Sequence, residues 1–135
     1  MENQSHFVEI FKSNKIWAIG SIHSRFDAFE SIKKFILSNF NKGDYLVFLG
    51  NVIGLGLQSK ETLSSIIDLR NKLMSKFYVA PEKIIFLRGA QEEMFLKLLQ
   101  LQTAPNPKDI VDWICEHGVQ ASIKSYGFDP DELID

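Results

Sequence analysis

Asp44-Tyr-Leu-Val-Phe-Leu-Gly50 is an unbroken apolar run set between an acidic residue and a glycine. A strand with one wet face alternates apolar and polar residues, whereas a continuous run this short reads as a strand covered on both faces, the habit of parallel sheets. Two similar runs flank it. Lys15-Ile-Trp-Ala-Ile-Gly20 lies upstream and Lys83-Ile-Ile-Phe-Leu-Arg88 downstream. Both read as buried strands.

Helical patterns fill the intervals. After the first strand, Asp27 is placed to cap a helix, with Glu30 as the partner of a capping box. Phe29, Ile32, Phe35, Ile36 and Phe40 recur at helical spacing as its expected core face. Ser59 is the expected cap of a second helix running to about residue 76, with Leu63, Ile66, Ile67, Leu73, Met74 and Phe77 inside. Glu92 and Glu93 open a third helix, where carboxylates suit the dipole, and Met94, Phe95, Leu98, Leu99 and Leu101 form its face. Asn106-Pro107 starts a fourth helix that Gly118 closes, and a short helical piece covers Gln120–Tyr126. The order β-α-β-α-β-α predicts an α/β fold with a helix-covered, largely parallel sheet. Ligands of such sheets gather at the carboxyl ends of the strands. The loops Ser21–Phe26, Asn51–Gln58 and Gly89–Gln91 belong there.

Composition narrows the function classes. The chain has 135 residues, 45% of them apolar, with 15 Lys+Arg against 17 Asp+Glu and a formal net charge of −2. That is the size of one domain with a real core, and the balance argues against a nucleic-acid partner. The charge is uneven: the first 103 residues carry 13 basic and 10 acidic side chains, the remainder 2 and 7. Asp129, Asp131, Glu132 and Asp135 make the end an acidic, solvated tail by expectation. Cys115 is the single cysteine, so no internal disulfide and no cysteine-based zinc cluster can form. The longest apolar stretch, Leu46–Leu57, is interrupted by Asn51 and is too short for a bilayer span of about 20 residues. The expectation is a cytoplasmic chain with no membrane contact, divided into an extension (1–14), a domain (15–127) and an acidic tail (128–135).

The three loops resemble the leading motifs of the calcineurin-like metallophosphoesterases, in particular the bacterial serine/threonine protein phosphatase branch. Gly20-Ser21-Ile22-His23-Ser24 is similar to the family's GDxHG, Leu49-Gly50-Asn51-Val52-Ile53-Gly54-Leu55-Gly56 to LGDxxDRG, and Arg88-Gly89-Ala90-Gln91-Glu92 to RGNHE. Trp113 and Ser125-Tyr126-Gly127 resemble a later WxxxGG…SYG stretch, so the resemblance spans roughly residues 15–127. It implies the N-terminal half of a two-sheet sandwich. It also implies a site at which two metals activate water and clamp a phosphate, held by carboxylates and imidazoles.

The residues depart from that chemistry. The first motif's Asp is Ser21, while its His is retained as His23. The bridging Asp is Asn51, which keeps an oxygen without the charge, and the second motif's later Asp and Arg are Gly54 and Leu55. The metal-binding Asn is Ala90, and the His that serves as general acid is Gln91, which cannot shuttle a proton near neutral pH. Nothing after Gly127 matches the family's second half, with its two further metal-binding histidines. The expectation is therefore a site with no metal, no cofactor and no catalytic residue: a vestigial cleft of Ser21, His23, Asn51, Gly54, Arg88, Ala90, Gln91 and Glu92.

Other features read blandly. His23 alone is not a metal site. Arg88 and Glu92 could bind an anion, but a salt bridge between strand end and helix start is the ordinary outcome. Gly50–Ser59 lacks the Gly-Lys-Ser/Thr of a Walker loop and only approximates GxGxxG. The sequence reading is a catalytically inactive phosphatase-like binding or regulatory module. Half a sandwich leaves apolar sheet surface and strand edge uncovered, which suits a homodimer or a protein partner. The alternatives are a metal-dependent phosphoesterase with residual or partner-completed activity, and a weak phosphate or nucleotide binder.

Overall fold

The computed structural model describes residues 8–133. Three strands, β1 (Ile16–Ile19), β2 (Tyr45–Phe48) and β3 (Ile84–Phe86), form one parallel sheet in the order β1-β2-β3. The register pairs Trp17 with Leu46 and Leu46 with Ile84. Between the strands run α1 (Phe26–Asn39) and α2 (Ser59–Lys76); α3 (Ala90–Leu96), a 3-10 turn (Lys97–Thr103), α4 (Pro107–Glu116) and α5 (Val119–Ser125) follow. The expected α/β order and parallel pairing are present.

The strand order explains where the helices lie. Parallel crossovers are right-handed, so a sheet that steps from β1 to β2 to β3 in one direction places both crossover helices on one face. That face carries the main core: Leu46, Phe48 and Ile84 pack with Phe29 and Ile36 of α1 and Ile66, Leu69 and Leu73 of α2. Phe48 stacks on Phe86 with ring centroids 4.9 Å apart. On the opposite face Tyr45, Val47 and Ile85 pack against Ile10, from the segment preceding β1, and among the described residues no helix covers them. By strand alternation Ile16, Leu49 and Leu87 share that second face, and they are 53%, 50% and 45% exposed. A second cluster of Met94, Ile114, Val119 and Ile123 joins α3, α4 and α5.

Several expected positions differ. The cap of α1 is Arg25, not Asp27, and no side chain caps it. Glu30 is free of a capping box because it faces α2, where Ser65 donates to it. Ile32 and Phe35 are exposed, and Lys33 is buried in their stead. Its ammonium lies 2.6 Å from Asp68 and 3.0 Å from the Ser65 hydroxyl, both on α2, so a paired cation rather than an apolar side chain fills the helix seam. Ser59 is the first residue of α2 rather than its cap, Gln58 standing before it. Ile67 and Leu99 face solvent. Buried Thr62 and Ser65 take up the α2 seam, while the 3-10 geometry after Leu96 rotates Leu99 away from the stripe that an α-helix would present.

The acidic end carries its charges in solvent, but its backbone is docked. Pro130 is buried and the 3-10 turn Pro130–Leu133 packs on α4 and α5. Asp135 and residues 1–7 of the expected extension lie outside the described residues.

Candidate functional site

The three loops at the carboxyl ends of the strands come together. The amide N–H groups of Ile22 and His23 both donate to the Asn51 carbonyl, at 3.0 and 2.9 Å, and that of Ser24 to the Val52 carbonyl at 2.8 Å. These turns are tight: His23, Ser24, Asn51 and Leu55 all have positive φ. Left-handed backbone is uncommon for residues with a Cβ, and clusters of it mark places where the surrounding packing dictates the chain path. Gly50 (φ +94) and Gly54 (φ +83) are required by contact as well. A Cβ on Gly50 would strike the Gly89 backbone, and one on Gly54 the Gln91 side chain.

Glu92 is the hub. Its Oε2 accepts from the amides of Asn51 and Gly89, both at 2.8 Å, and its Oε1 from Val52 at 2.7 Å and Ile53 at 3.2 Å. Burial pushes its carboxyl upward, but these four N–H donors more than offset that and hold its pKa below the ordinary carboxylate value. The expected salt bridge with Arg88 is not made. Glu92 turns inward to four loop amides, and Arg88 pairs at 3.3 Å with exposed Glu93. Four donors that could have cradled a phosphate are already bonded to a carboxylate of the chain itself.

The other site residues build a neutral network. The Asn51 Oδ1 accepts from the Gln91 amide at 3.0 Å, and its Nδ2 lies 3.4 Å from the Ser21 hydroxyl. The Gln91 side chain is buried and donates at 2.7 Å to the His117 carbonyl, leaving its own Oε1 unpaired. The half-buried His23 leaves its Nδ1 likewise without a partner. Ala90 is exposed and offers no donor atom, as the first residue of α3. Thus Ser21, Asn51 and Gln91 are linked directly. Gly54 lies beneath Gln91, and Glu92 joins the second loop to the third. Arg88 stands at the rim. Among the described residues no three His, Cys, Asp or Glu side chains converge on a point where they could hold a metal ion.

Sequence reasoning missed a buried line of hydroxyls. The Ser24 and Ser59 hydroxyls are hydrogen-bonded, Ser59 and Ser122 lie 2.7 Å apart, and the Gly54 amide donates to Ser122 at 2.9 Å. All three serines are buried. Ser59 was legible as a helix-start residue, but nothing local in the sequence connects it to Ser122. The line fastens the first two loops to α5. No helix among the described residues is long and apolar enough to cross a membrane. No protein-family model matches this chain, and no curated protein matches it significantly.

Proposed function

We propose that this chain is a non-catalytic, phosphatase-like binding module that associates with a second copy of itself through the face of its sheet opposite α1 and α2. The observation that carries the first half is the content of the cleft. Asn51, Gln91 and Ser21 bond to one another or to backbone, and Glu92, the acid at the centre, is committed to four amides. A two-metal phosphoryl reaction needs several anionic ligands around paired cations, and these side chains supply none that is free. The resemblance of the loop motifs to the metallophosphoesterases then describes ancestry of shape without chemistry. Self-association rests on Ile16, Leu49 and Leu87, which stand exposed beside the strip that packs on Ile10, and on the outer edges of β1 and β3. The lone thiol of Cys115 suits the reducing cytoplasm.

Calorimetric titration of chelator-treated protein with manganese, followed by sedimentation analysis at micromolar concentration, tests both halves. The expected results are no heat of metal binding and a two-fold mass that Leu49→Glu returns to monomer. Two equivalents bound at micromolar affinity, with hydrolysis of a generic phosphomonoester, would overturn the non-catalytic reading and point to a site completed by a partner. A monomeric mass for the unaltered chain would overturn the self-association.

A further inference from the structure

The second face of the sheet is closed at its centre and open at its margin. Val47 lies on the middle strand, level with Ala18 of β1 and Ile85 of β3. Tyr45, Val47 and Ile85 are buried, and Ile10 packs against the cluster they form. Ile16, Leu49 and Leu87 stand half exposed around them on the same face.

The segment that brings Ile10 there is loosely held. Ile10 itself is only partly buried, and nearby Val8 and Phe11 are 55% and 68% exposed. Its described polar contacts with the start of β2 are long. The Tyr45 hydroxyl donates to the Phe11 carbonyl at 3.5 Å, and the Asn14 amide to the Gly43 carbonyl at 3.4 Å. Asn14 also lays its side chain against Gly43, so this end is the better fixed one. Between the two, Lys12 has φ +45, a left-handed backbone that residues with a Cβ disfavour. Residues 8–13 thus form a strap with one apolar foot, a strained joint and an anchored base.

Thickness decides what the strap does. Two sheets that meet face to face stand about 10 Å apart, with their side chains interdigitated. A strap across the centre of each sheet fills that gap with backbone, so the strap and a second sheet compete for the same side chains. The dry, packed centre of an interface carries most of its energy, and the rim carries little. Ile16, Leu49 and Leu87 are the rim here; Tyr45, Val47 and Ile85 are the centre. We infer that residues 8–13 are a self-inhibitory strap, which must swing off Tyr45, Val47 and Ile85 before a second copy seats on them. This rests on the self-association proposed above and names what restrains it. The restraint acts twice, once in each copy. Where a closed strap is favoured about tenfold, the two together weaken association about a hundredfold.

Sedimentation equilibrium of the full chain and of its Ile10→Ser variant, which removes the apolar foot, tests the competition. Ile10→Ser should tighten dimerisation by at least about tenfold, because both straps are weakened at once. A nitroxide on Val8→Cys, in a Cys115→Ser background, reads the strap directly. Its spectrum should sharpen with protein concentration in step with the dimer mass. Adding Leu49→Glu, which holds the chain monomeric, should keep the spectrum broad throughout. An unchanged or weaker dimer in Ile10→Ser, or a label that stays restrained in the dimer, overturns the strap and leaves the self-association standing. Failure of both chains to associate overturns the self-association itself, and the strap's role falls with it.

Discussion

The two faces of the sheet are made from alternate residues of the same three short strands, yet they are covered by opposite means. Leu46 and Phe48 look into a core built by two helices and are 0% and 1% exposed. Tyr45 and Val47, their immediate neighbours, look onto Ile10 and a rim of solvent-exposed aliphatic side chains. The strands are uniformly apolar, so their composition does not distinguish the faces. Strand order does: a sheet that never reverses direction sends both crossovers to one side and leaves the other to whatever segment or partner is available.

The comparison is broken most severely from the helix side. Phe48→Ala should cost about 3–5 kcal/mol, measured as a fall in the urea midpoint, because a fully enclosed ring leaves a cavity that two helices and a sheet cannot close. Glu92→Gln tests the loops that cap both faces. It should cost about 1.5–3 kcal/mol in the same measurement, since bonds to an ionised acceptor become bonds to a neutral one. The pH dependence has a definite sign. With the folded carboxyl held below its unfolded value, the stabilisation is complete above the ordinary carboxylate pKa and is lost as pH falls through the lower folded pKa. Acid titration of the unaltered chain should therefore lose stability more steeply below the ordinary carboxylate range than the variant does.

Smaller effects sharpen the contrast. Phe35→Ala removes a ring that is 62% exposed and meets Trp17 edge-on at 5.8 Å, so it should cost no more than about 1 kcal/mol. Leu49→Glu, on the second face, should change monomer stability by no more than about 0.5 kcal/mol. Its effect belongs to the association state seen in sedimentation. If Leu49→Glu cost as much as Phe48→Ala, the second face would be a closed core and not an interface.

Much of this architecture is written locally. Three apolar runs and the helical spacing between them suffice for the order of elements, and Pro107 and Gly118 bound α4 as their backbone chemistry demands. The choice of helix face is not local. Counting apolar residues favours Ile32 and Phe35, and Lys33 displaces them only because Asp68 and Ser65 wait on α2, 35 and 32 positions along the chain. The loops of the site were located by strand ends and by their likeness to known motifs, and the structure does bring Ser21, Asn51, Gln91 and Glu92 together. The partner of Glu92 was not legible, because adjacent Arg88 looked sufficient. Unpaired amides in a folded turn leave no trace in a sequence, yet they outrank an exposed ion pair. The Ser24–Ser59–Ser122 line escaped for the same reason.

The one-directional sheet also governs how the chain reaches its native state. Each parallel pairing, Ile16 with Tyr45 and Leu46 with Ile84, joins residues about 30 to 40 positions apart, so an entire crossover must be ordered before the first ladder bond rewards it. High contact order of this kind slows folding. Until the crossovers close, Tyr45-Leu-Val-Phe48 is an uncharged, β-prone segment open to other chains. Newly made chains should thus depend more on dilution or chaperones than the modest length suggests, and refolding yield should fall steeply with protein concentration.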